Sequence, residues 1–179
     1  MTWWQLQQLN YLDTGNLPLW EKVDYLVAQK LDRAIAVIGP ITITSTWRPP
    51  GGAGSAGSFH KKTPSLAIDF VPDDPDTWGV FRKLQQVGFY RIGIMPGKNA
   101  FHVDVGYEKG LANEYYFLEN NSGQDLGPIS AQSLATLKTI PGYGNEPEPV
   151  PANLRDLVGR ANPWILLAIP AAVYYIRYS

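Results

Sequence analysis

Ala100-Phe101-His102-Val103-Asp104-Val105 carries two chemistries along one strand. Side chains of a strand alternate between faces, so Phe101, Val103 and Val105 fall on one side and His102 with Asp104 on the other. A second stretch, Leu66-Ala67-Ile68-Asp69-Phe70-Val71, is an apolar run of β-formers interrupted by one carboxylate. An ionised carboxylate in such a run is costly unless it is paired or bound to a cation. The chain has two histidines in all, and the other one, His60, ends the Gly/Ser-rich loop Pro49-Pro50-Gly51-Gly52-Ala53-Gly54-Ser55-Ala56-Gly57. Imidazoles and carboxylates concentrated in this way read as a metal site.

Leu19, Val23, Leu26, Val27, Leu31, Ala34 and Ile38 recur at helical spacing, which predicts an amphipathic helix over 18–38 that Gly39-Pro40 ends. A shorter helix is expected around 3–12. Ile41-Thr42-Ile43-Thr44-Ser45 alternates as a strand, and Asp73-Asp74-Pro75-Asp76 supplies cap candidates for a helix over 75–87, with Gly88 as its stop. Strands are expected at 89–95 and 100–106, joined through Pro96-Gly97-Lys98-Asn99 into a hairpin, with a further strand near 114–118 and a short helix over 130–140. The fold class is α+β: a small, mainly antiparallel sheet with flanking helices, followed by a C-terminal hydrophobic helix.

Three segments follow from composition. Residues 1–140 form the main domain, and residues 141–152 are a Pro-rich, semi-extended linker. Residues 153–179 end in an apolar stretch from Pro163 to Tyr178 in which Arg177 is the one charge. As a helix that stretch spans ~24 Å, against roughly 30 Å of hydrocarbon, with Trp164 and Tyr174, Tyr175 and Tyr178 placed like interfacial belts. The expectation is a membrane anchor; a terminal helix docked on the body or on a partner subunit is the alternative. The start of the chain has neither the basic nor the apolar part of a secretory signal.

At 179 residues the chain holds one full core plus an appendage. Its net charge of −1 argues against a nucleic-acid partner. With no cysteine, disulfides and thiolate ligands are excluded, so a transition metal must be held by nitrogen and oxygen. Zinc suits such a set: a catalytic site takes three protein ligands and leaves a fourth position to water. His60, Asp69 and His102 supply three.

These residues stand in a longer series. Ser45-Thr46-Trp47-Arg48-Pro49, Ser58-Phe59-His60 with Ala67-Ile68-Asp69-Phe70, Gly93-Ile94-Met95-Pro96, and Phe101-His102-Val103-Asp104-Val105-Gly106 follow one another in an order that resembles the zinc D-Ala-D-Ala carboxypeptidase and peptidoglycan endopeptidase family, which has the Hedgehog/D,D-peptidase fold. The resemblance covers about residues 5–110. It implies Zn2+ on His60, Asp69 and His102, and a peptidoglycan stem peptide or cross-link as substrate. Two positions depart from the family pattern. Eight residues separate His60 from Asp69 where six are usual, with Ser65 in place of a glycine, and Asn99 stands where many relatives have a Glu or Asp.

Arg48 fills the family's Ser-x-aromatic-Arg position, and its planar fork suits a substrate carboxylate or an oxyanion. A salt bridge that stabilises the loop is its other reading. Asp104 replaces the missing base or, alternatively, accepts a hydrogen bond that orients a ligand imidazole. Ser45 and Ser58 are expected to bond within the loop.

The expected function is a zinc metallopeptidase of the bacterial cell wall, in the setting of a phage-type lysin carried in a virion membrane or acting at the cell envelope, with virion proteins as possible neighbours. The competing expectation is a catalytically inactive zinc- or peptidoglycan-binding structural protein of a virion or envelope. A third is a membrane-assembly protein in which the tail is the function.

Overall fold

The computed structural model describes residues 1–17, 19–120 and 123–130. The expected helix over 130–140, the linker and the C-terminal hydrophobic helix lie outside them, save Ser130. Among the described residues no helix is long and apolar enough to cross a membrane.

The fold is α+β. Among the described residues three α-helices, α1 (Trp3–Leu6), α2 (Tyr25–Ile38) and α3 (Thr77–Gln86), accompany six strands: β1 (Ile41–Ser45), β2 (Ala67–Pro72), β3 (Arg91–Met95), β4 (Ala100–Asp104), β5 (Tyr115–Glu119) and β6 (Asp125–Pro128). They form one sheet in the order β1-β2-β4-β3-β5-β6. Every neighbouring pair is antiparallel except β3 and β5, which run parallel.

Helix α2 is shorter than its apolar period suggests. Leu19 takes a left-handed φ of 54° and a 3₁₀ turn over Trp20–Lys22 follows, so the helix begins only where the Asp24 side chain accepts a hydrogen bond from the Leu26 N–H at 2.9 Å. Gly39, at φ 86°, closes it. The helix expected over 3–12 is confined to one turn, capped by Thr2 and Gln5. Asp76 caps α3 by accepting from the Gly79 N–H at 2.8 Å.

One face of the sheet carries Ile68, Phe70, Ile92, Ile94, Phe101, Val103, Tyr116 and Leu118, all buried with Val27, Ala28, Leu31, Ala34 and Ile35 of α2 and Val80, Phe81 and Leu84 of α3. Phe70 stacks on Phe101 with ring centroids 5.6 Å apart. With the core on this side, period two turns Asp69, His102 and Asp104 to the other.

Asp32 ties the N-terminal segment to α2. Its Oδ1 accepts the N–H groups of Asn10, Tyr11 and Leu12 at 2.9, 2.6 and 2.7 Å. Asp32→Ala strands these donors, and at roughly 1–3 kcal/mol for an unmet buried donor we expect a loss of about 2 kcal/mol. A thermal melt checks it: the midpoint should fall by about 4–8 °C.

Candidate metal centre

One cross-strand row builds the site. Ser45 of β1 pairs with Asp69 of β2, Asp69 with His102 of β4, His102 with Gly93 of β3, and Gly93 with Phe117 of β5. Gly93 is required there, since a Cβ would stand 2.7 Å from the Phe117 ring and 3.1 Å from His102 Cβ.

His60 arrives from the loop between β1 and β2, in a 3₁₀ turn over Phe59–Lys61. The turn is anchored by the Arg48 N–H donating to the His60 carbonyl at 2.9 Å and the Leu66 N–H donating to the Phe59 carbonyl at 3.0 Å. The longer His60-to-Asp69 spacing is absorbed by exposed Lys62, Thr63 and Pro64. Ser65 is fully buried, its hydroxyl 3.0 Å from the Ala67 carbonyl it donates to.

His60 Nε2, Asp69 Oδ1 and His102 Nδ1 converge. Asp69 Oδ1 lies 2.9 Å from His60 Nε2 and 2.8 Å from His102 Nδ1, and the two nitrogens are 3.2 Å apart. The outer nitrogens set the proton positions. His60 Nδ1 faces the Thr46 carbonyl, an acceptor only, so it carries the proton and leaves Nε2 a lone pair. His102 Nε2 donates to Asp104 Oδ2 at 3.2 Å, which leaves Nδ1 for the centre. Two imidazole lone pairs and a carboxylate oxygen aimed at one point repel one another unless a cation or a proton lies between them. This group can hold a metal ion.

The electrostatics of the cluster agree. Burial alone would raise Asp69, yet its contacts with the His102 and His60 rings outweigh it and hold its carboxyl well below the usual range. Burial lowers His60. Burial would also lower His102, but the hydrogen bonds to Asp104 and Asp69 raise it to about 10, so this ring takes the proton that replaces a metal.

Arg48 pairs with Asp69 Oδ2, and its Nε donates to Ser45 Oγ at 2.9 Å. It therefore grips the oxygen of Asp69 that the cluster does not use. Asp104 is fully buried. Its carboxylate accepts from Arg91 Nε at 2.9 and 3.0 Å, from the Gly106 N–H at 2.8 Å and from His102. Asn99, at φ 46°, accepts from Thr77 Oγ1 at 2.7 Å and donates to the Asp74 carbonyl at 2.8 Å, which ties the β3–β4 turn to the start of α3.

The cluster opens into a cleft of about 820 Å³ whose walls include Arg48, Phe59, Lys98, Phe117 and Glu119. Sequence reasoning singled out neither Arg91 nor Glu119. Arg91 had a signal, being opposite Asp104 once the hairpin register is drawn. Glu119 lies one residue past the expected strand, in phase with Phe117. Burial pushes its carboxyl up to about 7; Asp69 and Asp125 add to the rise, and His102 and Arg48 oppose it. Comparisons with protein-family models, curated proteins and solved structures find no match.

Proposed function

We propose that the chain is a zinc-dependent peptidase that hydrolyses peptide bonds in bacterial peptidoglycan stem peptides or cross-links. The observation that carries the reading is the convergence of His60 Nε2, Asp69 Oδ1 and His102 Nδ1 at the floor of an open cleft. A donor set of two imidazoles and one carboxylate suits zinc, and the open side leaves room for water and substrate. The resemblance of the four sequence motifs to zinc D,D-peptidases of the Hedgehog/D,D-peptidase fold supplies the substrate class.

Held by His60, Asp69 and His102, a zinc ion would supply a water of lowered pKa and a polarised carbonyl. The protein supplies the rest. Asp104 holds the His102 ring through Nε2, the Thr46 carbonyl holds His60 through Nδ1, and the guanidinium of Arg48, in the wall of the cleft, stabilises the oxyanion at the scissile carbonyl.

The test is incubation of zinc-loaded protein with purified peptidoglycan. Release of stem-peptide fragments, abolished by a chelator and restored by zinc, is the expected outcome. Stoichiometric zinc with no released peptide would instead identify a binding or structural protein.

A further inference from the structure

We propose that Glu119 is the catalytic base of this site, and that Asp104 is a positioning residue that acts through His102. The inference rests on the hydrolase reading and assigns its proton transfer.

A base must reach the water that attacks the carbonyl. Asp104 does not meet this condition, because its oxygens are taken by Arg91, Gly106 and His102, and it touches His102 on Nε2, the side of the ring away from the cluster. Asn99 is committed to Thr77 and Asp74, and an amide takes up no proton. Glu119 remains. The parallel register that sets Ile94 beside Leu118 sets Met95 beside Glu119 one step further, and Met95 pairs across the hairpin with Ala100. Ala100 precedes His102 by two, so Glu119 occupies the adjoining row on the face that carries the cluster.

Glu119 lines the same cleft as His60, Asp69, His102 and Arg48, as does Asp104, so what separates the two carboxylates is what holds them. No described residue donates a hydrogen bond to its carboxylate, whereas Asp69 and Asp104 are each held by several. It is partly buried, and a carboxylate with no donor on it beside the cluster can both take and return a proton.

The step balances with one water. As the water oxygen bonds to the carbonyl carbon, its proton passes to Glu119 and the carbonyl π electrons move to oxygen, facing Arg48. Collapse restores the carbonyl and breaks the C–N bond. The proton on Glu119 then passes to the departing amine nitrogen, which leaves the carboxylate as it began.

Zinc-loaded full-length protein, purified peptidoglycan and the variants Glu119→Gln and Glu119→Asp test it. Glu119→Gln should bind one zinc with affinity within about twofold of wild type while fragment release falls by about 10²–10⁴. Glu119→Asp should recover part of the rate. Wild-type turnover in Glu119→Gln would overturn this assignment alone, and so would a loss of turnover explained by lost zinc. A zinc-loaded wild type that releases nothing would overturn the hydrolase reading and the base together.

Discussion

His60→Ala should abolish tight zinc binding. His60 is 1% exposed and its ring is fixed from behind by the Thr46 carbonyl, so the wild-type lone pair is aimed before any ion arrives. Alanine removes one of the three proposed ligands. Loss of an outer-shell partner alone costs about 10–100-fold in metal affinity, so the loss of a ligand should exceed that. Competition titration against a chromophoric chelator reads it directly, and His102→Ala should behave alike.

The same titration has a defined pH dependence. In the metal-free protein His102 holds its proton up to about 10, above the ~6.5 of an unfolded histidine. Its contribution to stability is therefore complete below pH ~6.5 and lost as the pH rises toward 10. On the proposed ligation zinc displaces that proton, so affinity should climb with pH across this window, by about tenfold per unit for one proton. A flat profile would mean that His102 Nδ1 is not a ligand.

Asp104→Asn should cost about 3–5 kcal/mol, the range for breaking a buried ion pair by removing one partner. Asp104 is fully buried and the Arg91 side chain is 15% exposed, so the guanidinium loses its counter-charge and keeps the Asn113 carbonyl, at 2.9 Å from Nη1, and the Phe59 and Tyr115 rings. At roughly 2–4 °C per kcal/mol for a chain of this size, the melting midpoint should fall by about 6–20 °C. Burial acts to raise Asp104, but the hydrogen bond from His102 and the charges of His102 and Arg91 outweigh it and lower its pKa. A depressed carboxylate contributes above its unfolded pKa of ~3.9 and loses that contribution as the pH falls through its folded value. The gap between wild type and variant should thus be full at neutral pH and shrink below about pH 4. Zinc affinity should drop by about 10–100-fold, since the ring of His102 loses its orienting partner.

Much of this site is legible in the chain itself. The period of two in 100–105 and the lone carboxylate in 66–71 are local signals, and they separate the core face from the face where Asp69 and His102 meet. Other features depend on contacts far apart in sequence. Nothing near residue 115 indicates that β5 lies parallel beside β3, so Glu119 could not be placed next to the cluster. The apolar period through 18–38 is real, but the left-handed Leu19 and the Asp24 cap delay the helix to Tyr25. Period two sets Asp104 on the side of His102 without revealing that Arg91 occupies its carboxylate or which ring nitrogen it meets. The longer loop before Asp69 is harmless because its surplus residues, Lys62 to Pro64, are exposed.

The most direct test of the account is mass analysis of the products from a defined muropeptide treated with zinc-loaded protein. Hydrolysis at this site should yield fragments whose summed mass exceeds that of the substrate by one water, absent with chelator and absent with His102→Ala. An unchanged muropeptide in the presence of protein carrying one equivalent of zinc would contradict it.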